Sequence, residues 1–578
     1  MEEQVKLEDV QLNYVTCNDD VQRFFSWLGQ SRQFLAYDTE TGGLEHWKQP
    51  LRLCQFGDTE TGWAFRADRW LGVVAEVFEK YEGPIAGHNI PFDVRFTEVQ
   101  GGIKIPWSSL YDTRTMAHAV DPTLNTSLKA RTSKMLDPRA KKLQGALAAT
   151  MSAQKWGWND IPVDFELYWG YGAFDCVLTA RLAESYWPKI VEEYRRVFDL
   201  EMEVSRICSN MEVRGVAIDL PYVERKYEEI TNYTAQLETW CQSNYGVRPS
   251  ETQKVTKKLI DLGVDLSKTT ASGQWALDRD VLEGIDHPLA QAVLEHRQKT
   301  KIASSYFKNF IEMHDNGILH PSINTLGART GRMSMQNPAL QTLPRGRVVR
   351  DAFIPRSGDT WAAIDFDNIE MKLLAHFCQD PAMLEAARTS DMHLEMARIA
   401  YGDQEIQKKD QRRQTFKNAN FAKAYVAGVE KFAMTAGMDI DSAREFLNFY
   451  DERFPGVKSL QRKVEHVGKQ RLATTGRGYV KSPIGRIHYA EKDKLYTLVN
   501  SLIQGTAADA FKQSMVDLDR SGFGEYLLLP VHDEVDMELP SEHALDMLKE
   551  IENVMTQTEW SVPLTVSSSM GSCWGEAK

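Results

Sequence analysis

"RRQTFKNANFAKAYV", Arg412 to Val426, sets Arg413, Lys417, Phe421 and Tyr425 four residues apart. In a helix this spacing turns each side chain only slightly past the last. The pattern therefore predicts one stripe down a helix face, cationic at its start and aromatic at its end. An ordinary core face is apolar throughout. A half-buried helix whose Phe and Tyr pack while Arg and Lys snorkel is the plain account of such a helix taken alone. The rest of the chain decides whether the stripe carries more.

The chain has 578 residues, 42% hydrophobic and 26% charged, which predicts a soluble, folded protein. That length suits about four domain-sized units. The start, "MEEQVKLEDV", is acidic and lacks the cationic beginning and apolar run of a signal peptide. No apolar run approaches membrane-spanning length. Seven cysteines without CxxC pairs or His partners predict reduced thiols in a cytoplasm and give no zinc pattern.

A net charge of −13 argues against a protein that passively coats nucleic acid, but distribution matters more than the sum. From Gly317 to Arg350 there are five arginines (Arg329, Arg332, Arg345, Arg347, Arg350) and no acid. Between Gln461 and His488 seven Lys or Arg residues face only Glu465. Both stretches carry Gly, Ser and Thr, which suits loops along a phosphate backbone; a solvated charged surface is the competing account.

A first region, to about Trp187, reads as mixed α/β, with strands at "FLAYDTE" and "PIAGHN" and a helix at "AFDCVLTARLAESYW". Within it, basic Thr123 to Trp158 predicts an exposed, partly irregular excursion. Val197, Leu200, Val204, Ile207 and Met211 then predict a long amphipathic helix stopped by Gly215, a domain junction. Farther on come Arg-rich loops, a strand at "WAAIDFD", helices to about Gln470 and a β-rich end around "YLLLPVHDEVDMELP".

"YDTETGGL" places Asp38 and Glu40 two apart on a strand, so both point to one face. "HNIPFD" adds Asn89 and Asp93, and "YGAFD" adds Tyr171 and Asp175. Hard Mg²⁺ or Mn²⁺ ions take oxygen ligands, and two of them about 4 Å apart can clamp the attacking and leaving oxygens of a phosphodiester. Surface acids account for any one of these pieces. All three in order, each at a strand or helix end, resemble the DEDDy-type 3′-to-5′ exonucleases that proofread for DNA polymerase I. The resemblance implies that Asp38, Glu40 and Asp175 hold one metal and Asp93 supports the second. It also implies that Tyr171 orients the attacking water and that Leu44 wedges against the terminal bases.

A second constellation follows. "IDFDNIEMKLLAHF" ends an apolar strand at Asp365 and begins a helix near Glu370, and "LLLPVHDEVDMEL" predicts a hairpin with His532, Asp533 and Glu534 at its tip. Interior acids cost several kcal/mol unless neutralised, so acids ending two apolar strands predict another metal site. With the stripe facing them, Arg413 and Lys417 would hold a triphosphate while Phe421 and Tyr425 meet sugar and base.

These residues resemble motifs A, B and C of the family A DNA polymerases, joined by "RTGRMSMQNPALQTLP", "DMH", "GYVKSPIGR", "NSLIQGTAAD" and "GSCWGEA". The resemblance implies an α/β multidomain chain: an RNase H-like exonuclease domain to about 190, then a right-hand polymerase from about 191 to 578. Its thumb would span about 199–313, its palm about 314–390 and 490–578, and its fingers about 391–489. Implied roles are Asp365 and Asp533 as metal ligands and Glu534 as an acid near the primer end. Arg413, Lys417 and His393 would contact triphosphate, Lys417 also protonating pyrophosphate, and Glu370 would block a ribose 2′-hydroxyl. Arg332, Asn500 and Gln504 would read the minor groove. Phe421 implies discrimination against dideoxynucleotides. Two Mg²⁺ ions at each active site, with Mn²⁺ as substitute, primer-template DNA and dNTPs are the implied cofactors and partners. The compact thumb and economy of domains resemble bacteriophage replicases. Val426, where many relatives have Gly, and Asp367, a second same-face carboxylate beside Asp365, depart from the family pattern. A single-subunit RNA polymerase is the competing enzyme, opposed by Glu370 and the exonuclease motifs. A catalytically silent replisome scaffold is opposed by the complete carboxylate sets, since binding alone favours removing negative charge from a phosphate groove.

Overall fold

The computed structural model describes residues 9–266, 268, 269, 273, 275–344 and 346–578. Arg345 and the first eight residues lie outside them. In the first unit, strands β1 (Gln11–Tyr14), β2 (Leu35–Thr41), β3 (Leu51–Gly57), β4 (Thr61–Arg66), β5 (Ile85–Gly87) and β6 (Leu110–Asp112) form one sheet in the order β1-β4-β3-β2-β5-β6. β2, β3 and β4 pair antiparallel, whereas β5 and β6 run parallel to β2. Helices α1 (Pro91–Val99), α2 (Leu128–Met135) and α3 (Glu166–Lys189) surround this sheet, and α3 packs directly on β2 and β3. The approach is close: a Cβ at Gly172 would lie 2.4 Å from the Gln55 amide nitrogen. Covered in this way, β2 buries six of its seven residues, polar ones included.

The stretch Thr123 to Trp158 is not the irregular excursion its composition suggests. It holds α2 and a second helix, Arg139–Gln154, and α2 turns Leu128, Lys129, Arg131 and Thr132 inward. A helix whose inner face carries two cations shows no apolar stripe, so periodicity could not reveal it. By contrast, helix α4 (Arg195–Arg214) buries Val197, Leu200, Val204, Ile207 and Met211 and stops at Gly215, whose φ of 64° suits glycine.

The second unit is built on an antiparallel sheet of β7 (Asp359–Phe366), β8 (Leu527–Val531), β9 (Glu534–Pro540) and β10 (Val566–Gly571), ordered β8-β9-β7-β10. Asp365 on β7 lies opposite Glu534 on one side and Ser567 on the other. The stripe helix α5 (Gln411–Ala424) starts where the Asp410 side chain accepts from the Arg412 N–H and ends at Tyr425. Buried Asn420 pins it: its Nδ2 lies 2.8 Å from His393 Nδ1, and its Oδ1 accepts from the Tyr450 hydroxyl at 2.8 Å. Helix α6 (Leu498–Leu518) packs on α4, and one apolar core extends from Leu200 to Ala577.

The basic stretch from Gln461 to His488 is the end of a helix, Pro455–Thr475, followed by a hairpin, rather than loops. One of its cations, Arg477, ties the hairpin to the first unit, and two others hold it to the segment from 191 to 214. Arg477 pairs with Asp121 at 2.6 Å, Lys481 with Glu193 at 3.2 Å and Arg486 with Glu201 at 2.5 Å.

Candidate active sites

At the first site Asp38 and Glu40 share one face of β2. Pro91 opens α1 and brings Asp93 into its first turn, where Oδ1 accepts from the Thr39 amide at 2.9 Å and the Thr39 hydroxyl at 2.7 Å. Asp175 comes from α3, and Glu40, Asp93 and Asp175 are all buried. Burial pushes Asp38 up to about 7 against the pull of Lys129, and burial together with Asp38 raises Glu40 and Asp93 well above the usual carboxylate range. Tyr171, one turn before Asp175, is driven up by burial and then by Glu40 and Asp38. Leu44 is 74% exposed at the lip of a 420 Å³ cleft that also holds Asn89, Trp47 and Arg114.

Sequence reasoning missed Lys129. Its ammonium contacts Asp175 and lies 4.2 Å from the centroid of the Tyr171 ring. Burial lowers it to about 7 despite Asp38 and Glu40. A lone lysine in a basic stretch carries no sequence sign of this.

The second site is a cleft of 420 Å³ lined by Asp365, Asp533, Glu370, Arg332, Phe421 and Tyr425. Asp365 ends β7, and Asp533 lies in the β8–β9 turn beside His532, whose φ is 63°. Burial, then Asp533 and Glu534, pushes Asp365 up to about 7; burial also raises Asp533. The Phe421 and Tyr425 rings stack at 6.0 Å and 12°. The Tyr425 hydroxyl donates to Glu370 Oε2 at 2.8 Å, and Arg332 pairs with the other Glu370 oxygen.

The other expected residues stand around this cleft rather than in its lining. Arg413 pairs with Asp391 at 2.9 Å. Lys417 sits one turn farther along the same face. His393 is buried behind the stripe and lowered to about 4 by burial. Glu534 is buried and paired with Lys578, a partner the sequence did not suggest. Asn500 and Gln504 are half-buried on α6, which lines the cleft through Ala507, Ala508, Phe511 and Lys512 instead. Asp367 keeps to the face of Asp365: it contacts Ser567, the residue directly opposite Asp365, and its charge adds to the rise of Asp365. Its carboxylate accepts from Thr565 Oγ1 at 2.6 Å and Ser567 Oγ at 2.5 Å and does not line the cleft.

Among the described residues no three Asp, Glu, His or Cys side chains close into a metal cage. Clustered carboxylates that repel one another, with no soft donor among them, nonetheless suit a hard cation. Mg²⁺ characteristically takes one or two carboxylates and completes its shell with water and substrate phosphate. Both sites therefore fit Mg²⁺ or Mn²⁺.

Comparison with known proteins gives the family of both parts of the chain. The family model for DNA polymerase family A matches residues 221–576, and the model for 3′-5′ exonuclease matches residues 12–191. The DNA polymerase of Mycobacterium phage D29 is 28% identical over 98% of this chain and 97% of its own length. That of Mycobacterium phage L5 is 27% identical over the same shares. The POL domain of Pol1 from M. smegmatis, solved with DNA primer-template and dNTP, shares the fold with a TM-score of 0.81 at 21% identity, covering 98% of this chain and 100% of that one. The chain belongs to family A of the DNA polymerases and carries a 3′-5′ exonuclease domain, so it is a DNA polymerase with 3′-5′ exonuclease activity.

Proposed function

We propose that the protein copies template DNA from dNTPs and proofreads with its own exonuclease in the replication of a bacteriophage, in the cytoplasm of a bacterial host. The full-length likeness to two phage polymerases supports the setting. The observation that carries the chemistry is the convergence of Asp365, Asp533, Glu370, Phe421 and Tyr425 on one cleft. Among the described residues no helix is long and apolar enough to cross a membrane. The domain limits we assign are about 1–190 for the exonuclease, 199–313 for the thumb, 314–390 with 490–578 for the palm, and 391–489 for the fingers.

At the polymerase site Asp365 and Asp533 would hold two Mg²⁺ ions, with Glu534 adding negative charge behind them. Bound there, Mg²⁺ supplies Lewis-acid activation of the primer 3′-hydroxyl and neutralises charge on the α-phosphate and leaving pyrophosphate. Arg413 and Lys417 bind the triphosphate of an incoming dNTP, and Lys417 delivers a proton to the leaving pyrophosphate. His393, held through Asn420, fixes the inner side of the same helix. Phe421 and Tyr425 pack on sugar and base, and Glu370 excludes a 2′-hydroxyl. Arg332, Asn500 and Gln504 read the minor groove of the primer-template. At the exonuclease site Asp38, Glu40, Asp93 and Asp175 would hold the second pair of ions. Tyr171 orients water, and Leu44 separates the terminal base.

Extension of a labelled primer on a longer template with Mg²⁺ tests this reading. Extension is expected with dNTPs and shortening without them. Asp533→Ala should end extension and spare shortening, and Asp38→Ala should do the reverse. Extension that survives Asp533→Ala would overturn the polymerase assignment; loss of both activities in Asp38→Ala would mean one shared site or a misfolded chain.

A further inference from the structure

Lys129 is placed where a lysine is disfavoured twice. It is buried, and it occupies the first turn of α2, where the helix dipole repels a cation. A methionine of similar length would fill the same space without either cost. What holds the ammonium is the acid cluster: it contacts Asp175, lies over the Tyr171 ring at 4.2 Å, and is drawn by Asp38 and Glu40. Asp175 and Tyr171 are one helical turn apart on α3, so a single cation from another helix touches both.

We propose that Lys129 is a positioning residue of the exonuclease site, fixing the Asp175 carboxylate and the Tyr171 ring against each other. The inference rests on the reading of Asp38, Glu40, Asp93 and Asp175 as the exonuclease centre. Four carboxylates repel one another and also repel the phosphodiester they must receive. A side chain that holds Asp175 and Tyr171 in place, as Thr39 holds Asp93, keeps the cluster in register against that repulsion. Because Tyr171 is the residue assigned to orient water, loosening it lowers the rate of hydrolysis more than it weakens DNA binding.

The test uses the full chain carrying Lys129→Met, a single-stranded oligonucleotide and saturating Mn²⁺. The exonuclease kcat should fall by about 10- to 100-fold, the size typical of lost outer-shell support, while KM for DNA stays within about threefold. Primer extension should be unchanged. Mn²⁺ bound at the exonuclease centre, counted by electron paramagnetic resonance in an Asp533→Ala background, should keep its stoichiometry, and Lys129→Arg should restore part of the rate.

An undiminished kcat at saturating Mn²⁺ together with tighter Mn²⁺ binding would overturn the proposal, since Lys129 would then be only a stand-in for the ion. Should Lys129→Met lose primer extension as well, and so fail to fold, Lys129→Gln gives the decision: a wild-type kcat refutes the proposal and a fall supports it. Asp38→Ala separates the two levels of inference. If it still degrades DNA, the assignment of the centre fails; if it is inactive while Lys129→Met is wild-type, only the role of Lys129 fails.

Discussion

The hydroxyl of Tyr425 donates to Glu370 Oε2 at 2.8 Å, joining the end of the stripe helix to the first turn of the helix that follows β7. Arg332 holds the other oxygen of the same carboxylate. Glu370 is therefore clamped from two sides, and its position is set before any nucleotide arrives. Glu370→Ala should raise ribonucleotide incorporation relative to dNTP by about 100-fold, since a pocket that rejects by bulk loses about that much when the bulk is removed. Tyr425→Phe removes one charge-assisted bond of about 2 kcal/mol and should raise the ratio by a smaller factor. Single-nucleotide insertion with paired rNTP and dNTP measures both. An unchanged ratio in Glu370→Ala would refute the gate.

Val426 adopts a φ of 50°, a left-handed conformation that a β-branched residue tolerates poorly. It directly follows Tyr425, and the Ala427 N–H donates across it to the Ala422 carbonyl at 2.8 Å. The turn that ends the stripe helix is thus strained. Val426→Gly removes about 1–2 kcal/mol of steric cost and adds about 0.5–1 kcal/mol of backbone entropy. The net expectation is a helix end more stable by up to about 1.5 kcal/mol. Amide hydrogen exchange across residues 422–427 should slow accordingly, and faster exchange would contradict it.

Phe421 stacks on Tyr425 and lines the cleft with Asp365 and Asp533. If Phe421 meets the sugar as proposed, a hydroxyl added there would face the nucleotide and replace the hydrogen bonding of a missing 3′-hydroxyl. Phe421→Tyr should raise dideoxynucleotide incorporation relative to dNTP by at least about tenfold, the worth of one bond of about 1.4 kcal/mol. Chain-termination ratios on a primed template check this. An unchanged ratio would mean that Phe421 does not meet the sugar.

Both sites were legible where their chemistry is local or periodic. Asp38 and Glu40 lie two apart on a strand, the four-residue stripe fell on one helix, and the apolar runs ending at Asp365 and Asp533 are strands. What escaped is what long-range packing creates. Lys129 reaches Asp175 only because α2 turns a charged face inward. Glu201 meets Arg486 and Lys512 across separations of 285 and 311 residues. Asp367 lies on the face of Asp365 as strand alternation predicts, but its bonds to Thr565 and Ser567 span 198 and 200 residues and could not be read from the sequence.

Glu201 tests that long-range packing. Burial alone would raise its carboxyl, but Lys512 and Arg486 outweigh it and hold the group below its usual value. Both cations are themselves buried: Lys512 Nζ is 2.6 Å from Glu201 Oε1, and Arg486 Nε is 2.6 Å from Asp509. Glu201→Ala takes the carboxylate from buried Lys512 and leaves Arg486 with Asp509 alone, and should cost about 3–5 kcal/mol, whereas Glu201→Gln, which keeps acceptors in place, should cost less. Urea unfolding of the full chain measures it. Equal midpoints for the wild type and Glu201→Ala would contradict the network.

Acid should loosen the same junction through its histidines. His118 lies with Nε2 3.3 Å from the Ala328 carbonyl oxygen, and His488 faces it beside Arg486. Burial first, and then Arg486, lowers both from 6.5 to about 3. Above pH 6.5 both rings are neutral whether the chain is folded or not, and their full contribution to stability is present. Below it the unfolded chain takes up protons that the folded chain refuses. Each histidine then removes about 1.4 kcal/mol per pH unit as pH falls toward its folded value. Raised carboxylates such as Asp38 act in the opposite sense, so the wild-type curve alone does not isolate the histidines. The variants do: His118→Gln and His488→Gln should each flatten the fall in stability between about pH 6.5 and 4.5 by close to one proton's slope. If neither changes that slope, the rings titrate alike in both states, and acid loosens the junction by another route.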